Sequence, residues 1–287
     1  CSEAASIFST QRSTTSCAIC HTHQGFIERL ETNAYSTAAN IADPAPVNCR
    51  TCHMVHKTFT AADYALNKTT GVTLYQGGQT IDLGARAGNL CASCHQARRI
   101  SPMPVLGGDS VTVTSSRYGT HHSPVAQVIS GNGLFAFAGS ANIPDGVLHV
   151  HGDPEFNPGV CATCHMGTAF GEQAGGHTFA MSYEYHGRDV ENIAGCADCH
   201  KTVEDFDHFN ARPETKTLLA ELDVELQRLG IRKAGANFYA VTGTYPADVA
   251  AAFLNWQIIS EDKSGGLHNP PYVINTLKNT IAKMKTY

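Results

Sequence analysis

No run of apolar residues in this chain approaches the roughly 18 that a membrane-crossing helix needs, so no spanning segment is expected. Charge is sparse as well: Asp, Glu, Lys and Arg together make up 16% of 287 residues, and the formal net charge is −5. A chain with that balance offers no basic footprint for nucleic acid. A third shortage excludes disulfides. Of 11 cysteines, all but Cys1 fall into one recurring pattern, and a single leftover thiol has no partner within the chain.

That pattern is Cys-x-x-Cys-His. It occurs at Cys17, Cys20 and His21; at Cys49, Cys52 and His53; at Cys91, Cys94 and His95; at Cys161, Cys164 and His165; and at Cys196, Cys199 and His200. Two thiols at this spacing reach the two vinyl groups of one haem as thioethers, and the imidazole that follows falls under the iron as proximal ligand. The expected cofactors are therefore five haem c groups. Structural zinc on paired Cys-x-x-Cys knuckles would not require a histidine after every second cysteine. A thioredoxin-like role calls for a βαβ setting around the motif, and none is evident.

Five haems in 287 residues leave fewer than about sixty residues for each, so the cofactors must form a large part of the apolar core. Twenty-six glycines and twelve prolines fit a backbone that bends often around them. The expected fold is mainly loop with α-helices, a multihaem cytochrome c arrangement organised around a chain of five covalent haems with a C-terminal helical segment. Residues 1–209 form the haem-bearing region and 210–287 a helical tail packing on the haem core, the two making one integrated domain.

Ala42–Pro46, Gln76–Gly78 and Gly107–Asp109 carry turn chemistry, and a short strand or hairpin is expected around Val72 to Leu83. In the tail, Pro213 opens a helix whose stripe of Leu218, Leu222, Leu226 and Leu229 ends at Gly230. A second helix after Thr244 has Pro246 in its first turn and Val249, Phe253 and Trp256 on one face. The third opens at Asn269-Pro270 and carries Val273, Leu277, Ile281 and Met284. All three read as amphipathic helices with the haem cluster as the surface they cover.

The chain begins at Cys1 followed by small and polar residues, a start that resembles a bacterial lipoprotein cut at its lipobox, with Cys1 carrying the lipid. Export to the outer cell surface or beyond is the corresponding expectation, with the periplasm as the alternative.

Each iron has a sixth position, and histidine is its expected occupant. Beyond the proximal five, the chain has His23, His56, His121, His122, His149, His151, His177, His186, His208 and His268. Methionine is the rival ligand and would raise the potential. Met54 and Met166 directly follow proximal histidines and cannot turn back onto their own haems, which leaves Met103 and Met181.

The string Asp262-Lys263-Ser264-Gly265-Gly266-Leu267-His268-Asn269-Pro270 resembles the C-terminal His-Asn-Pro segment of multihaem cytochromes related to the nitrite-reductase and extracellular cytochrome families. Cys52–His56, Gly119–Pro124, His149–His151 and Gly175–Phe179 are similar to other pieces of these proteins. The resemblance implies that His268 returns from the tail to ligate a haem, and it implies a distal set of His56, His121, His151, His177 and His268. His121 competes with His122, and His151 with His149. His56 is too near His53 to reach the far face of the same haem and should serve a neighbouring one. His23, equally restricted by His21, is left exposed or as a ligand to another subunit, while His186 and His208 read as ordinary histidines.

The same resemblance implies electron transfer, with other redox proteins or extracellular acceptors as partners and self-association into cytochrome filaments as one form. The competing class is a multihaem oxidoreductase with one open iron that reduces a small nitrogen or sulfur oxyanion. Pentahaem nitrite reductases carry Cys-x-x-Cys-Lys at the catalytic haem, whereas all five motifs here end in histidine, so no catalytic residue is assigned.

Overall fold

The structure is a computed structural model that describes residues 12–235, 237 and 239–287. The lipid expected at Cys1 lies outside the described residues. Nine α-helices occur among them: α1 (Thr15–His21), α2 (His23–Thr32), α3 (Cys49–Cys52), α4 (Ala87–Cys94), α5 (Val125–Ile129), α6 (Cys161–His165), α7 (Ala211–Arg228), α8 (Ala247–Asp262) and α9 (Pro270–Met284). The strands are short: β1 (Val72–Thr73), β2 (Thr80–Ile81), β3 (Val111–Val113), β4 (Ser182–Tyr185), β5 (Arg188–Glu191) and β6 (Gly243–Tyr245). Helix and loop thus dominate. No helix among the described residues is long and apolar enough to cross a membrane.

The chain divides into two compact units, each assembled from three stretches. The first takes the chain up to Val72, then Asp82–Cys94 and Pro158–Gly195. Its helices meet at a tight corner. The Thr22 hydroxyl accepts the Gly25 N–H at 3.0 Å and donates to the Ala18 carbonyl at 3.0 Å, so one side chain ends α1 and caps α2. Gly25 is required by the close approach, since a Cβ there would lie 2.3 Å from the Ala18 oxygen. Buried Arg29, on α2, donates to the Ser93 carbonyl of α4. Fully buried Asn89 fixes the start of α4: its side-chain Oδ1 accepts the Leu83 N–H at 2.8 Å, and its side-chain Nδ2 donates to the Thr69 and Gly84 carbonyls and to Asp82 Oδ1. The β4–β5 hairpin turns on His186 and Gly187, both at positive φ, as a two-residue turn that matches strand twist requires.

The second unit comprises Thr73–Ile81, His95–Asn157 and Cys196–Tyr287. Its core is built from α7, α8 and α9 together with side chains such as Ile100, Tyr118, Val128 and Phe137. The α7 and α9 stripes bury as their spacing requires: Leu222, Leu226, Val273, Leu277 and Met284 are fully enclosed. Helix α8 departs from expectation. Fifteen of its sixteen residues are buried, so it is a central core helix rather than an amphipathic one. Asn255 and Asn279 are buried within the core, where they bind the backbone of Phe135 and of Phe137 and Ala141, so the polar positions of these helices are satisfied by the crossing loop. Trp256 lies beneath the Arg232 guanidinium at 3.7 Å, and Arg232 is held by Asp223 at 2.6 Å. The β1–β2 pair lies where the hairpin was expected, while β3 pairs antiparallel with β6.

Candidate functional site

Four of the five motifs fall on or against helices: the first lies within α1, the fourth is α6, and the second and third end α3 and α4 with the histidine one residue beyond. A helical turn places residues three and four apart on one face, which brings both thiols and the imidazole of a motif to the same side. The fifth motif is a turn, but it closes in the same way, with the His200 N–H on the Cys196 carbonyl at 2.8 Å; His53 does likewise on Cys49.

The motifs of the first unit touch one another through their cysteines. Cys20 lies in hydrogen-bond contact with Cys94, Cys91 with Cys161, and Cys52 within electrostatic reach of Cys91. The Cys94 thiol beside it, aided by Arg29, brings Cys20 down to about 7 despite burial. Cys94 is pushed up in response. Four motifs therefore converge through Cys94 and Cys91 of α4. Arg29 and Asn89 hold this convergence in place. Neither was singled out by sequence reasoning; an arginine set among Phe26, Ile27 and Leu30 is the signal that could have found the first.

The imidazoles supply the test of whether haem iron fits. A nitrogen ligand sits about 2 Å from its metal and the imidazole ring centre about 1 Å further, so two rings on opposite faces of one iron have centres about 6 Å apart. His53 and His177 have ring centres 6.2 Å apart, and His151 and His200 are at 6.1 Å. In each pair one member is a motif histidine and the other comes from a distant loop. The donor sets fit haem, whose porphyrin supplies the remaining four nitrogens.

Backbone carbonyls hold several of the motif and loop imidazoles through Nδ1. His53 Nδ1 lies 2.7 Å from the Tyr64 carbonyl, His165 Nδ1 is 3.0 Å from that of Phe179, and His151 Nδ1 is 2.8 Å from that of Leu267. This is the outer-shell arrangement that fixes tautomer and ring direction in metal-binding histidines. Single loops serve two sites by this means. Gly175–Phe179 brings His177 to His53 and the Phe179 carbonyl to His165; Leu267 holds His151, and His268 follows it.

Strained aromatics flank several of these histidines. Phe59, Phe179 and Phe209 are exposed at φ of 58–59°, a costly region for bulky residues, and lie beside His56, His177 and His208.

The other histidines are placed as follows. His149 accepts the His151 N–H on Nδ1 at 3.4 Å, and burial together with nearby His151 pushes it down to about 4. His151 is thus the member of its pair that opposes a motif histidine. His268 Nδ1 meets Asp262 at 2.7 Å, His122 Nδ1 meets Glu261, and His121 Nδ1 lies 3.2 Å from the His122 carbonyl. His56 is exposed at positive φ. His23 bonds Thr51, and His186 stacks edge-on against Tyr185 at 4.3 Å. His208 comes nearer to the chemistry than its sequence context implied, 5.2 Å from His200, but this is short of the spacing for two rings across a metal. Met103 is exposed and takes a hydrogen bond from Gln76.

No protein-family profile matches the chain, and no curated protein does. Among solved structures, it is similar to the crystal structure of the outer cell wall cytochrome OcwA, with a TM-score of 0.51 and 18% identity over 94% of this chain. The match covers 45% of that cytochrome, so the chain spans less than half its length. At this identity the likeness is one of fold: the chain folds as part of an outer cell wall cytochrome does.

Proposed function

We propose that the chain is an exported electron carrier that holds five haems c, each closed on both faces by imidazole. The observation that carries this reading is the opposed histidine pairs, His53 with His177 and His151 with His200, at the separation set by one iron between two rings. Haem c bound there supplies a one-electron iron couple. The chain's own residues do the rest. The ten motif cysteines anchor the groups, backbone carbonyls at Tyr64, Phe179 and Leu267 hold imidazole tautomers, and converging thiols on α1, α3, α4 and α6 keep neighbouring sites close. His56, His268 and one member of the His121–His122 pair would supply further opposing imidazoles.

Imidazole on both faces leaves no position for substrate, which favours carrying electrons over making bonds. The name of the structural neighbour, an outer cell wall cytochrome, supports a site outside the cytoplasm, with redox proteins or extracellular acceptors as partners. Stepwise reductive titration of the holoprotein tests the reading. Five electrons per chain and a reduced spectrum unchanged by carbon monoxide are expected. Fewer electrons, or steady turnover of nitrite or sulfite, would contradict it.

A further inference from the structure

We propose that Glu261 and Asp262 are positioning residues that lower the reduction potentials of two haems by acting through His122 and His268. The inference rests on the reading of His268 as an axial ligand and takes His122, whose Nδ1 is held by Glu261, as the ligand of the His121–His122 pair.

The two acids are the last residues of α8, and their side chains are only 2% and 1% exposed. This is an unfavourable place for them. The C-terminus of a helix carries partial negative charge, and burying a carboxylate adds a desolvation cost. Each acid has one oxygen on an imidazole: Asp262 Oδ1 lies 2.7 Å from His268 Nδ1, and Glu261 Oε2 is bonded to His122 Nδ1. The second oxygen is occupied elsewhere. Ser264 donates to Asp262 Oδ2, and Lys263 Nζ stands 3.3 Å from Glu261 Oε1. Successive helical residues point about 100° apart, so adjacent acids can serve two different rings.

The contrast with the other imidazoles gives the effect its direction. His53, His165 and His151 place Nδ1 on backbone carbonyls, whereas His122 and His268 place it on carboxylates. A carboxylate draws the Nδ1 proton more strongly and leaves the ring a better electron donor at Nε2, which favours ferric over ferrous iron. The haems held through His122 and His268 should therefore be the hardest to reduce.

Spectroelectrochemical titration of the holoprotein and of its D262N and E261Q variants tests this. Each amide still accepts the imidazole proton, so five low-spin haems should remain, while one low-potential component moves upward. The expected change is about tenfold in its one-electron equilibrium, or ~59 mV. D262E, which keeps the charge, should hold the original potential. Unmoved titration curves in both amide variants, or an equal shift in D262E and D262N, would overturn the proposal. The H268A and H122A variants separate this failure from that of the ligand reading: each should create one high-spin haem whatever the amide variants do, and if neither does, the ligand reading falls first.

Discussion

Histidine is the residue on which the account turns, and its two roles were unequally legible. The motif histidines could be picked out directly, because each follows two cysteines at fixed spacing. Which of the other ten histidines faces which motif could not, since loop geometry decides it; the resemblance implied His151 and His177 without pairing them to His200 and His53. His177 reaches His53 because Gly175 and Gly176, both at positive φ, bend the chain just before it. His177→Ala should therefore keep all five haems attached and convert one to a high-spin form that binds carbon monoxide. His208→Ala should leave the spectrum low-spin, because His151 already stands opposite His200. Optical and magnetic spectra of the two variants check both expectations.

Asp248 permits a residue-scale prediction that does not involve histidine. Burial alone would raise its carboxyl, but the Gly107 N–H, the Tyr287 hydroxyl and the Lys283 ammonium outweigh that and hold it below its usual value. A depressed folded-state value means that its contribution is complete above the unfolded value, about pH 4, and is lost as pH falls through the folded one. Asp248→Asn should cost about 1–3 kcal/mol at neutral pH and flatten the decline in stability below pH 4. Thermal unfolding of both proteins from pH 7 to pH 3 measures it.

Among elements, the C-terminal helices were the most readable. The α7 and α9 stripes bury as their spacing demands, and Asn269 caps α9 by accepting the Tyr272 N–H. The burial of α8 on all sides was not visible, because Asn255, Gln257 and the acids along it look solvent-facing until loop backbone and imidazoles are seen to bind them. The β3–β6 pair escaped notice for a different reason: two three-residue strands far apart in sequence leave no local pattern. Leu222→Ala on α7 should cost about 2–5 kcal/mol by opening a cavity, without changing the haem spectrum. Gly195→Ala should act the other way. A Cβ there would lie 2.3 Å from the Thr163 carbonyl and 2.8 Å from Cys164 Cα, so it should disturb attachment at the fourth motif, read as a fall in haem content by mass spectrometry.

Across the whole molecule, chemistry was easier to read than architecture. Composition and motif count pointed to a loop-and-helix fold that carries haem, but no shift in composition marks the two interleaved units, each built from three stretches of chain. Their boundaries depend on which cysteines and loops come together, and such contacts leave no periodicity behind. The central claim is that every iron is closed by two imidazoles and that the chain only moves electrons. Quantitative paramagnetic resonance of the oxidised holoprotein, integrated against total haem, tests it most directly. The account predicts low-spin ferric signals that sum to five per chain; a high-spin signal amounting to one haem would contradict it and identify an open catalytic iron.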